Sequence, residues 1–211
     1  RWPQRDIGVI VVTDGGRILG LGDLGANGMG IPIGKLQLYT AAAGVPPQYL
    51  LPMYLDAGTN NAEYLKDPLY LGLRQERPAT ADLYSFVDEF VEAVQEIFPK
   101  CCIHFEDWTG VDAVHLLERY RDRYCVYNDD VQGTAGITLA GMINACKLKG
   151  SKLSDESYLF LGATLSATSV GITGRVFRDL STEAERNLFE LGVQEVVKIV
   201  NDPVHEHLCQ I

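Results

Sequence analysis

Two pairs of acids stand in the same local setting in this sequence. Glu106-Asp107 closes the apolar run Cys101–Phe105, and Asp129-Asp130 closes the run Tyr124–Tyr127 after Asn128. Four carboxylates at one place repel one another and lose hydration unless a cation neutralises them. An all-oxygen donor set suits a hard divalent cation such as Mg²⁺ or Mn²⁺. The competing reading is a set of solvated turn acids, because Asp and Asn are common in turns.

The elements that must position these acids are legible on either side. Cys101–Phe105 and Tyr124–Tyr127 are rich in aromatic and β-branched residues and read as buried strands. Between them Val111, Val114, Leu117 and Tyr120 recur at helical spacing, with Asp112, Glu118 and Arg119 interleaved. Strand, helix, strand makes a βαβ unit whose parallel strands end at the same sheet edge. Open α/β sheets bind ligands at that edge.

Upstream, Asp6–Thr13 is an apolar strand, Asp14-Gly15-Gly16 a tight turn, and Arg17–Gly22 a returning strand, which together predict a β-hairpin. The glycines from Gly20 to Gly34 allow positive φ and close backbone approach to a ligand. No Lys-Ser/Thr pair follows at P-loop spacing, so this is not a P-loop. A helix is predicted from about Pro32, carrying Lys35, Leu36, Leu38, Ala41 and Ala42. Taken alone, Lys35 reads as a solvated helix lysine. Residues 50–56 form a further strand.

Thr80–Phe98 is an amphipathic helix with Leu83, Phe86, Val87, Phe90, Val91, Val94, Ile97 and Phe98 on one face; Asp88, Glu89, Glu92 and Glu96 are its solvated side. Pro99 stops it. His104 and His115 read as structural. Residues 133–149 predict a helix of small residues packed closely on the sheet, whose start at Gly133-Thr134 offers N–H groups to an anion. Tyr158–Gly162 reads as another buried strand, Glu183–Val200 as an amphipathic helix, and His205-Glu206-His207 as a surface tail.

The 211 residues fit one domain and part of a second, and 46% apolar content supplies a core. A formal charge of -10 argues against nucleic acid and anionic membrane as partners. No apolar run is long enough to span a membrane. The five cysteines lack small-scaffold spacing; Cys101, Cys102 and Cys125 read as reduced core residues of an intracellular protein, in cytoplasm or mitochondrial matrix. The start at Arg1, directly before a strand, suggests a chain cut inside a larger protein.

Residues 127–136, Tyr-Asn-Asp-Asp-Val-Gln-Gly-Thr-Ala-Gly, resemble the malic enzyme motif, and His104-Phe105-Glu106-Asp107 resembles that family's other metal-binding stretch. Residues 17–25 (RILGLGDLG), 28–36 (GMGIPIGKL) and 67–74 (DPLYLGLR) are similar to malic enzymes as well. The likeness runs over roughly residues 6 to 172.

It implies an α/β fold: a parallel-sheet substrate and metal domain over 1–150, then the beginning of a Rossmann-like dinucleotide-binding domain over 151–211. It implies oxidative decarboxylation of L-malate to pyruvate and CO₂ with NAD⁺ or NADP⁺, and a homo-oligomer in full-length form. By the same resemblance Glu106, Asp107 and Asp130 bind Mg²⁺ or Mn²⁺, Arg17 holds a substrate carboxylate, Lys35 is the general base, and Asp129 tunes it. Thr134, Gly162 and Ala163 lie at the cofactor.

The sequence departs from the family at Thr164, which stands where the dinucleotide fingerprint has its second glycine. The family's general-acid Tyr falls upstream of Arg1, and most of its cofactor fold falls downstream. Three readings follow: an oxidative malic enzyme, a chain limited to metal-dependent oxaloacetate decarboxylation, or a non-enzymatic metal-binding or oligomerisation piece.

Overall fold

The computed structural model describes residues 3–4, 6–18, 20–153 and 156. The chain forms two compact units that divide between Asn128 and Asp129. In the first, β1 (Val9–Thr13), α1 (Gly30–Ala43), β2 (Leu50–Tyr54), α2 (Ala62–Lys66), α3 (Thr80–Ile97), β3 (Cys102–Phe105), α4 (Gly110–Tyr120) and β4 (Val126–Asn128) follow in order. The four strands make one sheet in the order β2-β1-β3-β4, and every neighbouring pair is parallel.

β1 is the centre of this unit. Ile10, Val11, Val12 and Thr13 are fully buried, as a continuous β-branched run with both faces covered should be. Val9 pairs with Leu50 on one side and with Cys102 on the other. With both edges taken, β1 has no free ladder for a hairpin partner, and the predicted hairpin is not formed. The returning segment is a loop, closed only by an isolated bridge between Ile18 and Gly22. Pro52 lies in β2, which is tolerated because β2 is an edge strand.

The two faces of the sheet carry different helices. Val11, Leu36 and Leu50 form a core cluster with Val9, Tyr39 and Val45, so α1 covers the face that bears Val11. Val11 is the register partner of His104, which places His104 on that face. On the opposite face Phe105 stacks on Tyr120 of α4 and meets Trp108 edge-on. α3 buries Leu83, Val87, Phe90, Val91 and Val94; full burial contributes about 1.5–3 kcal/mol for each larger apolar side chain.

Two members of the predicted α3 face, Phe86 and Ile97, are exposed; they flank the buried stripe. Asp88 is not merely solvated: it takes hydrogen bonds from Arg119 and Tyr120 of α4 and ties the two helices together.

The predicted βαβ unit over residues 101–128 is present as β3-α4-β4. β4 is shorter and less buried than its composition suggested, because it is the outer strand. Cys125 precedes it and is exposed, which corrects its assignment to the core. α1 begins at Gly30, two residues before the expected Pro32, and ends at Gly44 in the left-handed conformation.

In the second unit a π-turn at Asp129–Gly133 leads into α5 (Thr134–Lys149). Within α5, Ala135 and Cys146 are buried among the described residues. The strand predicted at Tyr158–Gly162, the helix at Glu183–Val200 and the tail histidines lie outside the described residues. No described helix is long and apolar enough to cross a membrane.

Candidate active site

The chain leaves β1 toward β2 on one side and leaves β3 toward β4 on the other. That reversal makes the crevice at the C-terminal ends of β1 and β3 a topological switch point, the place where open parallel sheets hold ligands. Asp14 follows β1 there, and Glu106-Asp107 follow β3.

Two short periodicities meet at this crevice. Lys35 and Tyr39 are one helical turn apart on α1, and His104 and Glu106 are two apart at the end of β3, so each pair shares a face. The pairs join crosswise. Lys35 Nζ is 2.9 Å from Glu106 Oε1, and the Tyr39 hydroxyl is 2.8 Å from His104 Nδ1. His104 Nε2 closes the circuit at 2.5 Å from Glu106 Oε2. Tyr127 packs edge-on against the His104 ring, with centroids 5.0 Å apart. His104 and Glu106 are 1% and 6% exposed. A carboxylate this buried needs polar partners, and Glu106 has one on each oxygen.

The backbone around the acids is fixed from β1. Glu106 N–H donates to the Val12 carbonyl at 2.9 Å, and the Trp108 indole N–H donates to the same oxygen at 3.1 Å. Asp107, between them, is the one described non-glycine residue with positive φ, at 55°. Asp tolerates that region better than most residues, but such backbone costs on the order of 1 kcal/mol or more and clusters at functional sites. Its carbonyl accepts the Arg17 N–H at 3.3 Å, which brings Arg17 to the same crevice on an exposed loop.

That loop is itself clamped by Arg77, which sequence reasoning did not single out. Its guanidinium donates to Asp14 Oδ2 (2.7 Å), the Asp14 carbonyl (2.8 Å), Asp23 Oδ2 (3.0 Å) and Asp23 Oδ1 (3.1 Å). Asp14 and Asp23 bracket residues 15–22, so Arg77 holds both ends of the segment that carries Arg17. Burial pushes the Asp14 carboxyl up to about 6 even though Arg77 pulls the other way. Burial also acts on Asp23, but hydrogen bonds from Arg77, Asn60 and Gly25 outweigh it and hold that carboxyl below its ordinary value.

The glycines of this region serve the loop's own packing. A Cβ on Gly15 would run into the Gly25 carbonyl, and one on Gly25 would run into the Tyr70 hydroxyl. Gly20, Gly30 and Gly34 face open space.

Asp129, Asp130 and Thr134 belong to the second unit. In the first unit, Asn128 ends β4 as the register partner of Phe105. Thr134 begins α5, with its hydroxyl donating to the Asp129 carbonyl at 3.2 Å. Gly162 and Ala163 lie outside the described residues. Lys35 sits in the second turn of α1, where its ammonium is bound to Glu106, and not at the helix start. Tyr39 and His104 were legible only in retrospect, through the i,i+4 spacing to Lys35 and the i,i+2 spacing to Glu106.

Comparison with known proteins decides the ancestry. Residues 1–121 match the family model for the malic enzyme N-terminal domain. The chain belongs to the malic enzyme family. Residues 131–191 match the model for the malic enzyme NAD-binding domain.

The human NADP-dependent malic enzyme is 54% identical over 170 residues, covering 80% of this chain and 30% of that protein. The NAD-dependent malic enzyme of Cronobacter sakazakii is 51% identical over 181 residues, covering 86% and 32%. The crystal structure of the Entamoeba histolytica malic enzyme aligns with a TM-score of 0.59 at 31% identity, over 78% of this chain and 30% of that one. The chain thus spans about a third of the length of these malic enzymes.

Proposed function

We propose that the protein carrying this chain oxidatively decarboxylates L-malate to pyruvate and CO₂, reducing NAD⁺ or NADP⁺, with a divalent cation. The observation that carries this reading is the Lys35–Glu106–His104–Tyr39 circuit at the switch point, beside the strained Asp107 and the Arg17 loop.

The donor chemistry fits a hard cation: Glu106 and Asp107 are carboxylates only 6% and 7% exposed, and Glu106 already gathers positive charge from Lys35. Glu106, Asp107 and Asp130 would hold the ion, which when bound supplies Lewis-acid stabilisation of developing charge on substrate oxygen. Lys35, freed from Glu106, takes the proton from the substrate hydroxyl. Arg17 orients a substrate carboxylate. His104, locked by Tyr39, fixes the second Glu106 oxygen. Asp129 sets the field around Lys35. Thr134, Gly162 and Ala163 would serve the nicotinamide cofactor, as the relatives' names and the second family model support.

A narrower reading is favoured by Thr164, which replaces the glycine that lets the backbone approach a pyrophosphate: the metal half of the site alone would decarboxylate oxaloacetate. Purified protein is incubated with Mn²⁺, malate and either NAD⁺ or NADP⁺ while reduced nicotinamide is followed by absorbance. A parallel assay follows oxaloacetate loss, with Asp130→Asn as control. Reduced cofactor formation that is lost in Asp130→Asn supports the oxidative reading. Oxaloacetate loss alone supports the narrower one, and neither activity overturns both.

A further inference from the structure

The opposite edge of the sheet carries a feature unrelated to this chemistry. Cys102 opens β3, and Cys125 stands just before β4. The register pairs Ile103 with Val126, and Ile103 N–H donates to the Cys125 carbonyl at 3.0 Å, so Cys102 and Cys125 are direct cross-strand neighbours. Opposed residues of parallel strands point to the same face, and the strands run about 4.8 Å apart. That lies within the Cα separation of roughly 4.4–6.8 Å that a disulfide spans.

The two thiols act on each other electrostatically, in the sense that favours the Cys125 thiolate. Cys125 is exposed and Cys102 partly so, while Cys101 alternates to the other face, is fully buried, and gives its S–H to the Cys102 carbonyl at 3.4 Å.

We propose that Cys102 and Cys125 form an oxidation-sensitive dithiol that a peroxide converts to an intrachain disulfide. The exposed partner is the attacking one. The neighbouring Cys102 thiol draws the Cys125 thiol down to about 7, while Cys125 and burial push Cys102 up. The Cys125 thiolate attacks a peroxide oxygen; the O–O bond breaks, hydroxide leaves, and Cys125 becomes a sulfenic acid. Cys102 sulfur then attacks the Cys125 sulfur, the S–O bond breaks, and hydroxide leaves again. The two thiol protons neutralise the two hydroxides, so two thiols and one hydrogen peroxide give one disulfide and two waters.

The test is independent of the proposed enzymology. Reduced protein is titrated with hydrogen peroxide, blocked with N-ethylmaleimide, and mapped as peptides without reductant. The expected product is a Cys102–Cys125 cross-linked peptide pair lacking two hydrogens and restored by dithiothreitol. Cys101→Ser keeps the cross-link. Cys102→Ser loses it and leaves Cys125 as a sulfenic acid that dimedone traps. The proposal is overturned if both cysteines stay maleimide-reactive in wild-type protein, or if Cys125 pairs instead with another cysteine or another chain.

Discussion

Two sets of acids, Asp14 with Asp23 after β1 and Glu106 after β3, are neutralised in opposite ways. Asp14, with Asp23, is gripped by one guanidinium through four hydrogen bonds to fixed positions. Glu106 is met by a single ammonium and an imidazole. A guanidinium fork is planar and geometrically committed, whereas an ammonium is a point charge on a flexible stem. The first arrangement builds a loop. The second can exchange one cation for another, as the proposed site for a metal and a proton requires. The presence of buried carboxylates therefore does not mark the site; the replaceability of their partners does.

The largest effect should come from breaking the committed clamp. Arg77→Met leaves Asp14, 1% exposed, without its counter-charge, and should cost about 3–5 kcal/mol of stability in urea unfolding. Lys35→Met should cost only about 1–2 kcal/mol, because His104 still holds Glu106. Equal losses would erase the contrast between the two clusters.

The pH dependence sharpens it next. Asp14 has its carboxyl raised from 3.8 to about 6 in the folded protein, chiefly by burial. The folded state then binds the proton more tightly than the unfolded state. The resulting stability is fully present below about pH 4 and is lost as pH rises toward 6, by about 3 kcal/mol at most. Unfolding measured across that range should show the fall, and Asp14→Asn should flatten it.

The backbone gives a third, smaller contrast. Gly25→Ala must place a Cβ into the Tyr70 hydroxyl at φ 51° and should destabilise by more than about 1 kcal/mol. Asp107→Gly, at φ 55°, should be neutral or stabilising by up to about 1 kcal/mol, even as it removes a proposed ligand. Thermal unfolding of the two variants reads both signs.

Much of this frame was legible in the sequence, for identifiable reasons. The βαβ unit over β3, α4 and β4 declares itself through aromatic and β-branched runs on either side of a helical period, and the acids mark where each strand ends. The apolar face of α3 is equally plain, apart from Phe86 and Ile97. The hairpin failed because a tight-turn signal is local, whereas the identity of the partners of β1 is decided by distant segments, β2 and β3, that bury it on both edges. Arg77 was invisible because its partners lie 54 and 63 residues away in the chain, and nothing in its neighbours announces them. The roles of Tyr39 and His104 needed two elements to be docked before their spacings could be read together.

The central claim is that Glu106 and Asp107 form a cation site while other ion-paired acids of this unit do not. Calorimetric titration of Mn²⁺ into the wild-type protein, Asp107→Asn and Asp88→Asn addresses it most directly, Asp88 being the acid bonded to Arg119 between α3 and α4. Saturable binding that Asp88→Asn retains and Asp107→Asn weakens by at least about a hundredfold is the predicted result. Binding that survives in Asp107→Asn at wild-type affinity, or no saturable binding at all, would contradict the account.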